Sequence, residues 1–211
     1  MRVFNKKTVE DFKKRQENTV EENLLAVIKS RQSIGKVTEQ EVPREILVQI
    51  IEAGTRAPSH YNTQPWKFFV MTGNGRDQLG QAYGEIEVLN KGKDAAEEDK
   101  KQMYQNKYKK AFRAPAVIAV ACSPVDNGLA VEPEEKAAVA ACIQNMLLAI
   151  HALGYAAIWR TGEACYHPLM RQKFGLGEHE TMMGLIYIGR PASVVPQRPR
   201  VSVEEKVTWL S

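Results

Sequence analysis

The run "APAVIAVAC", residues 114–122, is apolar from end to end, of strand length, and followed at once by the turn formers "SPVDNG". A half-solvated strand would alternate apolar and polar residues, so an unbroken run of this length predicts a central strand covered on both faces. Downstream, "EKAAVAACIQNMLLAIHALG" (135–154) has small and branched apolar residues all round. That pattern predicts a helix buried in the core or in a subunit interface, with Gly154 as its cap. "YAAIWRTG" (155–162) reads as a strand entering a turn, "HPLMRQKFGL" (167–176) as a short helix, and "TMMGLIYIGRP" (181–191) as a second buried strand. The tail from Val194, "VVPQRPRVSVEEKVTWLS", is extended and proline-rich until a final short helix.

Upstream of the central strand, residues 1–20 form a polar arm and "EENLLAVIKS" (21–30) a helix. A second helix runs from Pro43 to Ala53, since proline suits the first helical turn and Gly54 follows. "WKFFVMTG" (66–73) is a strand ended by "GNG", and "RDQLGQAYGEI" (76–86) resumes a helix. "AAEEDKKQMYQNKYKKAF" (95–112) is a charged helix read as a solvated or mobile face. Helices alternate with strands and no repeat intervenes, which predicts an α+β layered domain with helices on both faces of a sheet.

Composition narrows the function. The chain has 211 residues, 44% hydrophobic and 26% charged, as one compact domain requires. A net charge of +4, with Lys and Arg interleaved among Glu and Asp, presents no nucleic-acid face. Cys122, Cys142 and Cys165 stand roughly twenty residues apart without metal-ligand spacing, against both a disulfide framework and a zinc site. The polar N-terminus and the lack of an apolar run of membrane-spanning length predict a cytoplasmic protein without membrane association. GxGxxG after a strand, GxxxxGK[ST], GxSxG and HExxH are all absent, which removes the markers of dinucleotide folds, P-loop enzymes, hydrolases and zincins.

What remains is a set of polar and cationic residues at element boundaries, where ligands are usually met. "SRQS" (30–33) follows a helix, "RAPSHYNTQPWKFFV" (56–70) opens a strand, the buried helix runs into "GYAAIWRTG" (154–162), and "MGLIYIGRP" (183–191) lies near the end. In order and spacing these four segments resemble the FMN-dependent nitroreductase family over residues 21–207. The resemblance implies a three-layer α-β-α sandwich with a mixed, mainly antiparallel sheet, residues 21–211 forming one FMN-binding domain. It also implies a homodimer with FMN at the subunit interface, reduced by NADH or NADPH and reoxidised, in ping-pong order, by a nitroaromatic, quinone or similar small-molecule acceptor. A flavin-binding protein without turnover, or a flavoenzyme of the same fold with other chemistry such as dehalogenation or flavin fragmentation, is the alternative.

The resemblance assigns Arg31, Gln32 and Ser33 to the phosphate or ribityl chain, for which a guanidinium offers a planar fork of donors and a hydroxyl a neutral one. Arg31 also suits a helix C-terminus through the dipole. The family pattern usually has basic residues where this chain has Gln32 and Gly35, so the cation facing the flavin N1/O2 edge is left open. Asn62 and Gln64 carry amide donor and acceptor pairs that match a flavin pyrimidine edge, and Pro58 and Pro65 stiffen their loop. Arg56 and His60 fall where members reach the partner subunit's FMN, although His60 also suits a plain surface loop. Trp159, Arg160 and Thr161 match the second flavin segment, with a sheet aromatic as the alternative for Trp159. Residues 149–154, including His151, border the nicotinamide by resemblance. Arg200, with Arg198 two residues before it, resembles a late basic pair at the phosphate, or else an exposed basic tail. No protein acid or base and no metal is expected, since the chemistry belongs to the cofactor.

Overall fold

The computed structural model describes residues 23–125, 128 and 131–210; the arm expected at 1–20 lies outside them. By its contacts the chain divides into two units, Ser33–Ser193 and, within the described residues, 23–32 with 194–210.

The larger unit is built on strands β1 (Trp66–Thr72), β2 (Ala116–Cys122), β3 (Ala156–Arg160) and β4 (Thr181–Gly189), in the order β1-β2-β4-β3. Every neighbouring pair is antiparallel, so among the described residues the sheet is antiparallel throughout. Helix α1 covers 23–30. The others are α2 (Arg44–Gly54), α3 (Asp77–Lys91), α4 (Glu97–Tyr108), α5 (Glu132–Ala152), α6 (Glu163–Tyr166) and α7 (Pro168–Lys173).

All seven residues of β2 are buried, as its unbroken apolar run predicts. Alternate side chains feed two cores. Ala116, Ile118, Val120 and Cys122 meet Leu47 and Ile50 of α2 and Val139, Ile143 and Met146 of α5. Val117, Ala119 and Ala121 meet Leu79, Ala82 and Ile86 of α3 and Met170 of α7. These are the two helical layers of the expected sandwich. Helix α5 starts with Pro133 in its first turn and acidic Glu132, Glu134 and Glu135 at the positive end of its dipole, and Gly154 closes it at φ 76°.

β4 is irregular in the middle. Val120 pairs with Gly184 and Ala121 with Met182, leaving Met183 as the extra residue of a bulge. Gly184 accepts φ 148°, and a methyl there would overlap the indole nitrogen of Trp159. That nitrogen donates to the Met183 carbonyl at 3.1 Å, so the bulge and the tryptophan fix each other.

One expectation is refined and another corrected. The charged helix α4 has no buried residue, as a solvated face requires, yet Tyr104 and Tyr108 anchor it over Gly84 and Gly80 of α3. A Cβ at Gly84 would come within 2.5 Å of the Tyr104 ring, and one at Gly80 within 2.8 Å of the Tyr108 ring. The final short helix is also absent among the described residues. Residues 204–206 make a turn in which the Lys206 N–H donates to the Val203 carbonyl at 2.9 Å. Val201, Val203, Val207 and Thr208 are β-branched and lose side-chain freedom in a helix.

In the smaller unit, Gln32 Nε2 donates to the Val195 carbonyl at 2.8 Å and Gln197 Nε2 to the Lys29 carbonyl at 3.3 Å. Leu24, Leu25 and Ile28 on α1 are about half exposed, and Val194, Trp209 and Leu210 in the tail almost wholly so.

Candidate functional site

The sequence-derived residues of the larger unit fall into two groups. The first lies at the open edge of β3. Ile34 donates its N–H to the Ala157 carbonyl at 2.9 Å, so residues 33–35 run along that strand. Gly35 permits the approach, since a Cβ there would stand 3.3 Å from Arg160 Nη2. Ser33 and Arg160 thus share one edge, and Thr161 follows, exposed, ahead of Gly162 at φ 114°. The Arg160 guanidinium lies 5.7 Å from the Tyr187 ring centroid, and its buried Nε has no hydrogen-bond partner among the described residues. Tyr187 shares a 3.2 Å hydroxyl contact with Tyr83. Burial, above all, pushes both phenols above their usual range, so neither neutralises the arginine. A half-buried cation without a carboxylate partner among the described residues suits an anionic or acceptor-rich ligand edge. Trp159 belongs to the same strand but spends its N–H on the bulge.

The second group lies at the head of β1. Exposed Arg56 follows α2, and His60, Tyr61 and Asn62 form a 3₁₀ turn. Tyr61, Asn62 and Gln64 all hold left-handed backbone, at φ 50°, 54° and 50°. Asparagine tolerates this region, whereas for tyrosine and glutamine it costs about 1–2 kcal/mol each. Within the turn, the Asn62 N–H donates to the Ser59 carbonyl (3.0 Å), the Gln64 N–H to Ser59 Oγ (3.2 Å) and Gln64 Nε2 to Asn62 Oδ1 (3.3 Å). Two contacts come from α5: His60 Nδ1 meets Glu134 Oε2, and Thr63 Oγ1 donates to Glu135 Oε1 at 2.5 Å. Strain concentrated in one exposed turn is a mark of functional backbone.

β1 and β3 are the two edges of the sheet, three strand spacings or about 14 Å apart. The groups are therefore not brought together within one chain. Arg31, Gln32 and Arg200 belong to the smaller unit. Arg31 is half-buried directly after α1, Gln32 keeps a buried Oε1 without a partner among the described residues, and Arg200 is exposed with Arg198 in the tail. His151 is half-buried near the end of α5.

Thr63, Glu134 and Glu135 escaped the sequence reading. The acidic pair announced only a helix start, and the positive-φ turn had no glycine to mark it. A groove of about 1090 Å³ runs beside α2 and the end of β1, lined by Leu47, Val48, Val70, Arg76 and Arg113 among others, and none of the expected site residues borders it. Among the described residues no His, Cys, Asp and Glu cluster could hold a metal, and no helix is long and apolar enough to cross a membrane. The three cysteines are free and buried.

Comparison with known proteins places this geometry in a family context. The profile described as Nitroreductase family matches residues 28–190. A relative from Escherichia coli (strain K12), named "Putative NAD(P)H nitroreductase YdjA", is 33% identical over 168 residues, covering 79% of this chain and 87% of its own. A solved structure titled as a nitroreductase-like family protein from Bacillus cereus superposes with a TM-score of 0.75 at 25% identity, over 89% of this chain and 95% of the other. Another, titled "putative nitroreductase in complex with FMN", from Desulfovibrio desulfuricans, gives a TM-score of 0.64 at 26% identity, covering 89% and 96%.

Proposed function

This chain belongs to the nitroreductase family, and from that premise we propose that it is a homodimeric, cytoplasmic FMN-dependent oxidoreductase, its 21–211 stretch acting as one FMN-binding domain. It takes hydride from NADH or NADPH and passes electrons to a nitroaromatic, quinone or similar acceptor. The observation that carries the reading is the placement of the two residue groups on opposite sheet edges. Each is half a site, and a two-fold dimer can lay the β3 edge of one chain beside the β1 turn of its partner. The uncovered Leu24, Leu25, Ile28, Trp209 and Leu210 are the apolar surface expected of a chain that associates.

The donor set fits FMN. Arg31, Ser33 and Arg200 carry the donor types that suit a phosphate and ribityl chain, and Gly35 lets the chain that bears Ser33 pass close to Arg160. The unpartnered Arg160 Nε marks a donor without an acceptor among the described residues. When bound, FMN supplies the hydride-accepting and electron-donating chemistry. Arg160 and the Thr161 hydroxyl would help hold its negative charge, and the Asn62 and Gln64 amides would hold the ring. Ping-pong order follows if one shared face admits the nicotinamide and then the acceptor, and no side chain of the protein need exchange a proton with substrate.

The test is an anaerobic titration of protein purified with FMN. A yellow protein bleached by NADH or NADPH, and recoloured by a nitroaromatic or quinone, is the expected result. Protein that stays yellow with both nucleotides is a flavin binder without turnover, and protein that takes up no FMN ends the reading.

A further inference from the structure

We propose that Glu135 is the positioning residue of the flavin-facing turn, locking Thr63 so that Asn62 and Gln64 on either side of it present their amides; this rests on the FMN reading above. Thr63 is the pivot by geometry. Its φ of -66° and ψ of -28° make it the right-handed residue within a left-handed run, between Asn62 at φ 54° and Gln64 at φ 50°. Asn62 and Gln64 are both exposed, while the half-buried Thr63 between them turns its hydroxyl inward to Glu135. Fixing that hydroxyl fixes the direction of both flanking amides.

Glu135 is an unusual anchor. It is the one fully buried charged side chain in the described core, at 0% exposure, and it forms no ion pair there. Its second oxygen, Oε2, has no hydrogen-bond partner among the described residues. A carboxylate kept in that state is not there for helix capping, because Val131 holds the cap position of α5 and the Glu135 N–H already donates to the Val131 carbonyl at 3.0 Å. Nor does it belong to any metal-holding cluster among the described residues. What it does engage is the strained turn, and among the described residues the remaining hydrogen bonds of that turn are internal to it apart from the exposed His60–Glu134 contact. A backbone in a sparsely populated conformation persists only where the surroundings over-determine it, and Glu135 is the buried part of those surroundings.

Three variants separate positioning from packing. Glu135→Gln keeps the volume and an acceptor for Thr63. Thr63→Val removes the donor alone. The double variant Glu135→Leu with Thr63→Val replaces the pair by apolar groups of similar shape, which avoids leaving a buried polar group unmatched. We measure FMN affinity by flavin fluorescence, thermal midpoint, and amide hydrogen exchange of residues 59–65 in the flavin-free protein. Glu135→Gln should stay within about threefold of wild type in FMN affinity. The double variant should keep its thermal midpoint, exchange at least tenfold faster across 59–65, and bind FMN about tenfold more weakly or worse. Wild-type exchange and affinity in the double variant would overturn the proposal, as would a loss in Glu135→Gln equal to that in the double variant. The exchange arm reads the turn without flavin, so wild type that fails to bind FMN would remove the functional reading while the positioning claim was still decided.

Discussion

At the scale of single residues, Arg31 and the three cysteines carry opposite expectations. Arg31→Ala should weaken FMN more than riboflavin, because alanine no longer reaches the phosphate or the adjacent ribityl chain. A charge-assisted hydrogen bond contributes on the order of 1.5–3 kcal/mol, so the FMN Kd should rise about ten- to a hundredfold, and equal losses for both ligands would refute the assignment. The cysteines should be spectators. Burial pushes the Cys122 thiol up to about 11, with the Glu135 charge as the next cause, and burial alone takes Cys142 to about 12 and Cys165 to about 11. Their folded values are raised, so the stability they contribute is whole below the unfolded value of about 9 and is lost as pH rises toward 11–12. Replacing all three by alanine should leave the flavin spectrum and NAD(P)H oxidation intact, cost about 1 kcal/mol per site at neutral pH, and flatten the fall in denaturation midpoint above pH ~9. Unchanged alkaline slopes would contradict the raised thiols, and activity lost with flavin still bound would reveal a redox thiol. That the three thiols stay unpaired was legible because their spacing survives in a sequence. Glu135 was not, since acidity at a helix start says nothing of whether the carboxylate faces water or a neighbouring turn.

Among the elements, β2 could be read directly because a strand covered on both faces writes its burial into every residue. α4 could not, because its charged positions hide two tyrosines whose partners, Gly80 and Gly84, sit on another helix. Gly84→Ala should therefore push Tyr104 outward and destabilise the protein by about 1–3 kcal/mol, with the loss relieved in part when Tyr104 is also shortened to leucine. Equal losses in the presence and absence of the tyrosine would show that the two helices do not meet there. The β4 bulge was foreshadowed only by a glycine inside a strand pattern, a signal that becomes specific once Trp159 is seen to donate to Met183. Gly184→Ala combines the left-handed strain with overlap on the indole, and a loss of about 3 kcal/mol or more, together with a shift in Trp159 fluorescence, is expected.

At the scale of the whole molecule, the proposed sharing of the site between two chains is tested by mixing. Arg31→Ala in one preparation and Arg56→Ala with His60→Ala in another should each hold FMN poorly. Unfolded and refolded together, they give dimers of which about half are mixed. A mixed dimer gathers both sets of defects in one site and none in the other, so about a quarter of wild-type flavin should return. No recovery in verified mixed dimers would mean that each chain builds its site alone. The proposed sharing of the site between two chains has one further consequence. When a ligand is complete only where two chains meet, ligand and subunit raise each other's affinity by the same factor. Dilution should then act as a bleach: the protein loses its colour in step with its sedimentation coefficient, and added FMN lowers the concentration at which monomers assemble.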